Sequence, residues 1–540
     1  MATVVNFHGK NYIEPGSYAV SVYNPTSVVN VSEFGNVMII DTGLAKNGDY
    51  EFAGGSGIHG ELNKGLKSVY EFDNYEDFLS FMGGGLVGDI AEKILTPRDG
   101  VAGAPKLFYC RAATTKCANI TLTFGSGNSL ILKCKNEGEV GNGVIEGGVL
   151  KVGYAARVIT GSDDASKFKC QVYRGSFMGV DDDGEPYGSA SLSKASGNLL
   201  TESEEFETLE ELYNWARSDK YILANFVVSM TGVKTSNISA VTLTAATGGK
   251  TEWLKDSEYA DVLEAISELD VTFFLATNTS VGDGISSATT GRLFTFLKND
   301  AKFTEFLVIP GGSSDSDLFG ESDSSQAIAK YYDSEQAVVV HGAPIVNRKD
   351  GNGTKELPSI YLAAAIIGLA AGQAPQQPLT FKRVGYQSFV YDLKKKEREK
   401  ALQAGIMHVR NLSGYWCVNQ GITTLQDNKK SIASDGQTME LSIALIKAQL
   451  NKELIVDSAN RFIGNTSAVN ASPQTIKNFT ETKLSSLTAK TGEDNLLKSW
   501  KNVKVVQKNS DFQITYDFAP NLPVNKLFFT GNILDLEVNS

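Results

Sequence analysis

Chemistry in this 540-residue sequence would first be sought at its glycine-rich and aspartate-rich stretches and its four histidines. GSGIHG, Gly55 to Gly60, has the GxGxxG spacing that lets a backbone approach a dinucleotide pyrophosphate. That fingerprint belongs directly between a strand and a helix. Here a polar stretch separates it from the apolar run Asn36–Asp41, and in a chain with 52 glycines the match reads as chance. VDDDGEP, Val180 to Pro186, opens like a calcium loop. The twelfth position counted from Asp181 is Leu192, where a bidentate Glu is required, so a polar turn is expected. None of His8, His59, His341 and His408 is within four residues of another His or a Cys, so none forms a local metal clip. His341 is the most enzyme-like, because it ends the run QAVVVHG and strand ends carry ligands in open α/β sheets. No GxSxG elbow or carboxylate pair accompanies it. No catalytic residue, cofactor or metal is therefore expected. The alternative is an α/β enzyme using His341 or the GSGIHG loop.

The totals point the same way. Hydrophobic residues make up 42% and charged residues 21%, as in ordinary globular chains, and the length suits several domains. A net charge of −12 with no basic face argues against nucleic-acid binding. The first residues, MATVVNFHGK, lack the apolar core of a signal peptide. The most apolar stretch, Ile360–Gly372, falls short of the ~20 residues that span a bilayer, so membrane insertion is not expected. The five cysteines, Cys110, Cys117, Cys134, Cys170 and Cys417, are odd in number and scattered, which suits free thiols in a reducing compartment.

Organisation is richer than chemistry. Residues 1–24 alternate around Pro15-Gly16 and read as an extended arm. Residues 25–113 give buried strands at Asn36–Asp41 and KLFYCRA, with two short helices between. From Thr114 to about 250 short strands cut by Gly and Asn turns predict a β-sandwich or barrel, with YILANFVVSM among the strands and TLEELYNWARS as its helix. Residues 251–385 alternate helices with apolar β runs, the pattern of a parallel sheet covered on both faces. Residues 386–524 carry the charged helix DLKKKEREKALQAG, a hairpin at 404–425 and two more helices; 525–540 ends the chain in strand-like sequence. The predicted fold class is an α/β core, doubly wound with a mixed sheet, carrying an inserted β-rich sandwich or barrel-like domain and extended strand-like terminal arms. Strand-like ends with no partner strand beside them suit addition to neighbouring chains.

This pattern resembles the tail sheath proteins of contractile bacteriophages (myophage type) and related contractile injection systems. The likeness rests on AGIMHVRNLSGYWCVNQGITTL, with Gly421–Leu425 at an INTL-like position, and on NRFIGNTSAVN (Asn460–Asn470) after a long helix, where Asn465 replaces the family's Lys. It also rests on NLPVNKLFFTGNI (Asn521–Ile533), on EPGSYAV near the start with Ser17 in place of Val, and on NEGEVGNGV (Asn136–Val144). The resemblance implies a non-enzymatic subunit that stacks as hexameric rings in a helical sheath around an inner tail tube, with baseplate and tail terminator proteins as further partners. It implies assembly in the host bacterial cytoplasm, residence in the virion tail, and contraction that drives the tube through an envelope. It further implies an N-terminal inter-subunit arm at Val4, Val5, Phe7, Tyr12, Pro15, Gly16, Tyr18, Val20 and Val22. The receiving hairpin would use Ile406, His408, Arg410, Trp416, Val418, Ile422 and Leu425. The C-terminal strand or arm would use Leu527, Phe529, Ile533 and Leu536. Lys394, Lys395, Lys396, Arg398 and Lys400 are the candidate tube contact, and residues 114–250 would decorate the outside.

Overall fold

The computed structural model describes residues 5–7, 10–12, 34–41, 69–82, 85–111, 113–125, 127–137, 141–175, 179–180, 186–187, 198–253, 262–263, 266, 269–277, 289–299, 304–322, 324–347, 353–425, 440–463, 472–488 and 495–522. The chain begins with β1 (Val5–Phe7) and β2 (Lys10–Tyr12), which pair antiparallel with each other, Val5 opposite Tyr12. This part of the expected arm therefore has a partner strand within the chain. β3 (Val37–Asp41), β4 (Val69–Phe72), α1 (Tyr75–Met82), α2 (Gly85–Leu95) and β5 (Leu107–Arg111) follow.

The next strands are β6 (Ala113–Phe124), β7 (Asn128–Glu137), β8 (Val144–Glu146), β9 (Val149–Val152), β10 (Tyr154–Thr160), β11 (Phe168–Arg174), β12 (Gly179–Val180), β13 (Pro186–Tyr187) and β14 (Asn198–Glu202). Helices α3 (Leu209–Ala216) and α4 (Lys220–Asn225) precede β15 (Phe226–Thr231), β16 (Val241–Ala245) and β17 (Lys250–Trp253). Two four-stranded antiparallel sheets, ordered β14-β11-β10-β16 and β15-β7-β6-β17, face one another. Ile120, Leu122, Leu130 and Leu132 of one and Val158, Cys170 and Val172 of the other meet in one core, closed by Leu209 and Leu212 of α3. YILANFVVSM departs from the strand expected of it. Asp219 accepts hydrogen bonds from the Tyr221 and Ile222 amides, which starts a helical turn, and the strand begins only at Phe226.

The chain then runs through β18 (Phe273–Ala276), α5 (Thr289–Asn299), β19 (Phe306–Pro310), α6 (Ser325–Tyr332), β20 (Ala337–His341), β21 (Pro344–Asn347), β22 (Thr354–Glu356), α7 (Ser359–Ala371) and β23 (Ser388–Phe389). It closes with α8 (Lys395–Gln403), β24 (Ile406–Leu412), β25 (Tyr415–Val418), α9 (Leu441–Phe462), α10 (Pro473–Ser486), β26 (Leu497–Lys508) and β27 (Asp511–Pro520). An eight-stranded sheet, ordered β25-β24-β20-β19-β18-β3-β5-β4, is parallel from β24 to β5 and antiparallel at both ends. Its strands are apolar runs because both faces are covered. Val37 and Ile39 point to a core with α2, α7 and α9, whereas Met38 and Ile40 point to a second core with α5 and α6. Gly368 lets α7 lie against α2: a Cβ there would stand 2.8 Å from the Ile94 carbonyl oxygen. Among the described residues no helix is long and apolar enough to cross a membrane.

Candidate functional site

Gly405 ends α8 with φ +74°, and a Cβ on it would meet Thr424 Cα at 2.9 Å, so the chain can pass into β24 only through glycine. Ser413 and Gly414, at φ +53° and +91°, form the tight turn that returns the chain as β25, with Leu412 opposite Tyr415. The hairpin is not an open platform. β24 lies between β20 and β25, with His341 opposite His408. The outer edge of β25 is already bonded within the chain: the Phe381 amide donates to Val418 O at 2.8 Å, Val418 N to Lys382 O at 2.9 Å, and Val384 N to Trp416 O at 3.1 Å. Arg383 stacks on Tyr415 at 3.7 Å, and Arg410 lies over Phe381. Ile406, His408, Trp416, Val418, Ile422 and Leu425 are all buried. Ile422 and Leu425 lie beyond β25, Ile422 making a bridge to Glu440 instead. The expectation of receiving edges at 404–425 thus gives way to a hairpin used as core.

The unpaired edges are elsewhere. β26 and β27 form a long two-stranded ribbon with no further strand beside either among the described residues. One face carries Phe512, Ile514, Tyr516 and Phe518, with Trp500 opposite Phe518 and Val505 opposite Ile514. The root of this face packs with Leu450, Leu484 and Leu487 of α9 and α10. The other face is exposed and carries Lys501, Lys504, Val506 and Lys508. A two-stranded ribbon is marginal alone, so it needs that root and gains from added strands. DFQITYDFA, which becomes most of β27, alternates as a strand should, whereas the signal of β26 is obscured because register shifts at Leu497/Ser499 and Lys501/Lys504 break its period of two.

Helix α8 separates the five basic candidates. Lys394, Lys395 and Lys396 are exposed at its first turn, with Lys395 and Glu399 3.9 Å apart. Arg398 is tied to the Leu393 carbonyl and lies 3.8 Å from Asp392, while Lys400 sits over Phe319 at 3.8 Å.

His341 is 1% exposed, its Nδ1 2.8 Å from Ser325 Oγ and its Nε2 bonded to the Tyr391 hydroxyl. Burial pushes its pKa down to about 4, against the pull of Asp317 and Asp315. The Ser–His pair lies buried in the core beside β20. Among the described residues no cluster of His, Cys, Asp or Glu could hold a metal. Val4, Pro15, Gly16, Tyr18, Val20, Val22, Leu527, Phe529, Ile533, Leu536 and the GSGIHG loop lie outside the described residues.

A wide mixed sheet with several smaller sheets beside it gives a fold similar to that of a sheath tail protein. The match to the crystal structure of such a protein from Desulfitobacterium hafniense has a TM-score of 0.52 over 94% of this chain and 100% of that one, at 14% identity. In sequence, the chain is 21% identical to the tail sheath protein of Bacillus phage SP01, over 98% of this chain and 97% of that protein. The sheath tail protein of Listeria innocua is a further neighbour, with a TM-score of 0.46 over 91% of this chain and 96% of that one, at 13% identity. No family model matches the chain. The chain thus resembles a tail sheath protein over nearly its whole length.

Proposed function

We propose that this chain is the structural subunit of a contractile tail sheath. The observation that carries the reading is its likeness in sequence to a phage tail sheath protein over nearly the whole of both chains. Subunits stack as hexameric rings into a helical sheath around an inner tail tube, assembled in the host cytoplasm and bounded by baseplate and tail terminator. Contraction drives the tube through the target envelope. Residues 114–250, whose two sheets have their own core, are an outward-facing insertion.

Terminal arms from residues 1–24 and 525–540 link neighbours by adding strands, because main-chain hydrogen bonds survive changes in rigid-body packing. The ribbon β26–β27 is the better acceptor, since its long edges have no strand beside them among the described residues whereas the edge of β25 is bonded in-chain. Lys394, Lys395 and Lys396 are the tube contact. Three cations at a helix N-terminus oppose the helix dipole, so they favour a surface that supplies anions.

The test is negative-stain electron microscopy of the purified chain at rising concentration, alone and with its tube protein. Ridged hollow cylinders are expected. Dispersed monomers under both conditions overturn the reading. A variant lacking residues 1–22 should form no cylinders; if it polymerises normally, the N-terminal arm plays no linking role.

A further inference from the structure

We propose that His341 and His408 form an acid-sensitive latch across the β20–β24 seam, holding the C-terminal hairpin to the parallel sheet only while both rings are neutral. The two residues are register partners at the ends of adjacent parallel strands, and each is 1% exposed. The seam is short: Val339 with Ile406, Val340 with Met407, and His341 with His408.

Ser325 Oγ accepts from the Gly312 amide at 2.8 Å and lies 2.8 Å from His341 Nδ1, and the Tyr391 hydroxyl pairs with His341 Nε2, so both ring nitrogens of His341 are held inside the core. His408 Nδ1 donates to Ile406 O at 3.3 Å, and its Nε2 is buried with no hydrogen-bond partner among the described residues. A proton there would be a buried N–H with no acceptor among them. Asp315 and Asp317 favour charge on His341. Arg398 from α8, Arg410 from β24 and His341 itself oppose charge on His408. Burial outweighs the two aspartates, so acid puts two like charges side by side in the seam.

The latch does not depend on the assembly reading. In the free state of the strands both rings titrate near 6.5, so opening takes up protons as the pH falls below that value, and the open population rises. The test is hydrogen exchange followed by mass spectrometry on the full chain at pH 7 and pH 5, corrected for intrinsic rates. Protection of peptides covering Ala337–His341 and Ile406–Leu412 should fall roughly tenfold or more, while β6–β7 peptides stay level. His408→Asn keeps a donor for Ile406 O and should weaken the fall; His341→Asn with His408→Asn should abolish it. Equal pH sensitivity of seam and β6–β7 peptides in the unaltered chain overturns the latch, whether or not the variants fold. An undiminished fall in the folded double variant overturns it as well.

Discussion

Lys483→Met should unfasten the platform beneath the ribbon. Lys483 on α10 reaches two carboxylates of α9: Glu453 at 2.5 Å and Asp457 at 2.7 Å. Burial works against its charge, but the hydrogen bonds to Asp457 and Glu453 outweigh it and raise its pKa. The two carboxylates are not equal. Asp457 is 42% exposed and its pair is worth at most about 1 kcal/mol, whereas Glu453 is 3% exposed. Removing the cation leaves a buried carboxylate short of its counter-charge, at a cost of about 3–5 kcal/mol. Gln449 Nε2, 3.4 Å from Glu453, offsets only part of that. Methionine keeps the apolar stem, so packing loss is small. The expected net cost is about 3 kcal/mol, read as lost exchange protection in α10 and β26, since Leu484 and Leu487 share a core with Leu497 and Val503. Adding Glu453→Gln should recover most of it. A cost under about 1 kcal/mol, or no rescue by the second change, would refute the reasoning.

Gly368→Ala would normally gain about 1 kcal/mol of helix propensity. Here the added methyl meets the backbone of α2, so a net loss of about 1–3 kcal/mol is expected in thermal denaturation, and a raised melting temperature would contradict the close approach. Asp219→Ala removes the cap of α4 and should cost about 1 kcal/mol, with exchange rising at Tyr221 and Ile222 and not in β15. Changing Lys394, Lys395 and Lys396 together to Glu should leave stability within about 0.5 kcal/mol or raise it, because acids suit a helix N-terminus. The same variant should fail to sheathe tubes in electron micrographs; normal sheathing would remove α8 as the tube contact.

The parallel core was legible because burial on both faces leaves a simple trace. FFLA, FLVIP and AVVVH are unbroken apolar runs between amphipathic helices, and each became a central strand. The helical start of YILANFVVSM was less legible: its apolar content is that of a strand, and one side-chain cap at Asp219 decides the first turn. The hairpin at 404–425 shows the opposite limit. Its turn and strands were evident from Gly405 and Gly414, but whether an edge is open depends on what lies beside it. Phe381–Val384 does so by a route no local pattern announces, through a Phe held at φ +62°.

That strap bears on how a chain proposed to assemble keeps its own sheet edges in order. An exposed sheet edge recruits other strands, and proteins usually blunt it. At one end of the large sheet this chain covers β25 with its own backbone and fastens the cover with Arg383 on Tyr415. Its ribbon meanwhile carries lysines on the exposed face, which discourage indiscriminate stacking while leaving main-chain edges available to a strand of the right register. In the proposed sheath that ribbon, rooted on α9 and α10, is where neighbours would add strands, and its core is separate from the two cores that cover the faces of the parallel sheet.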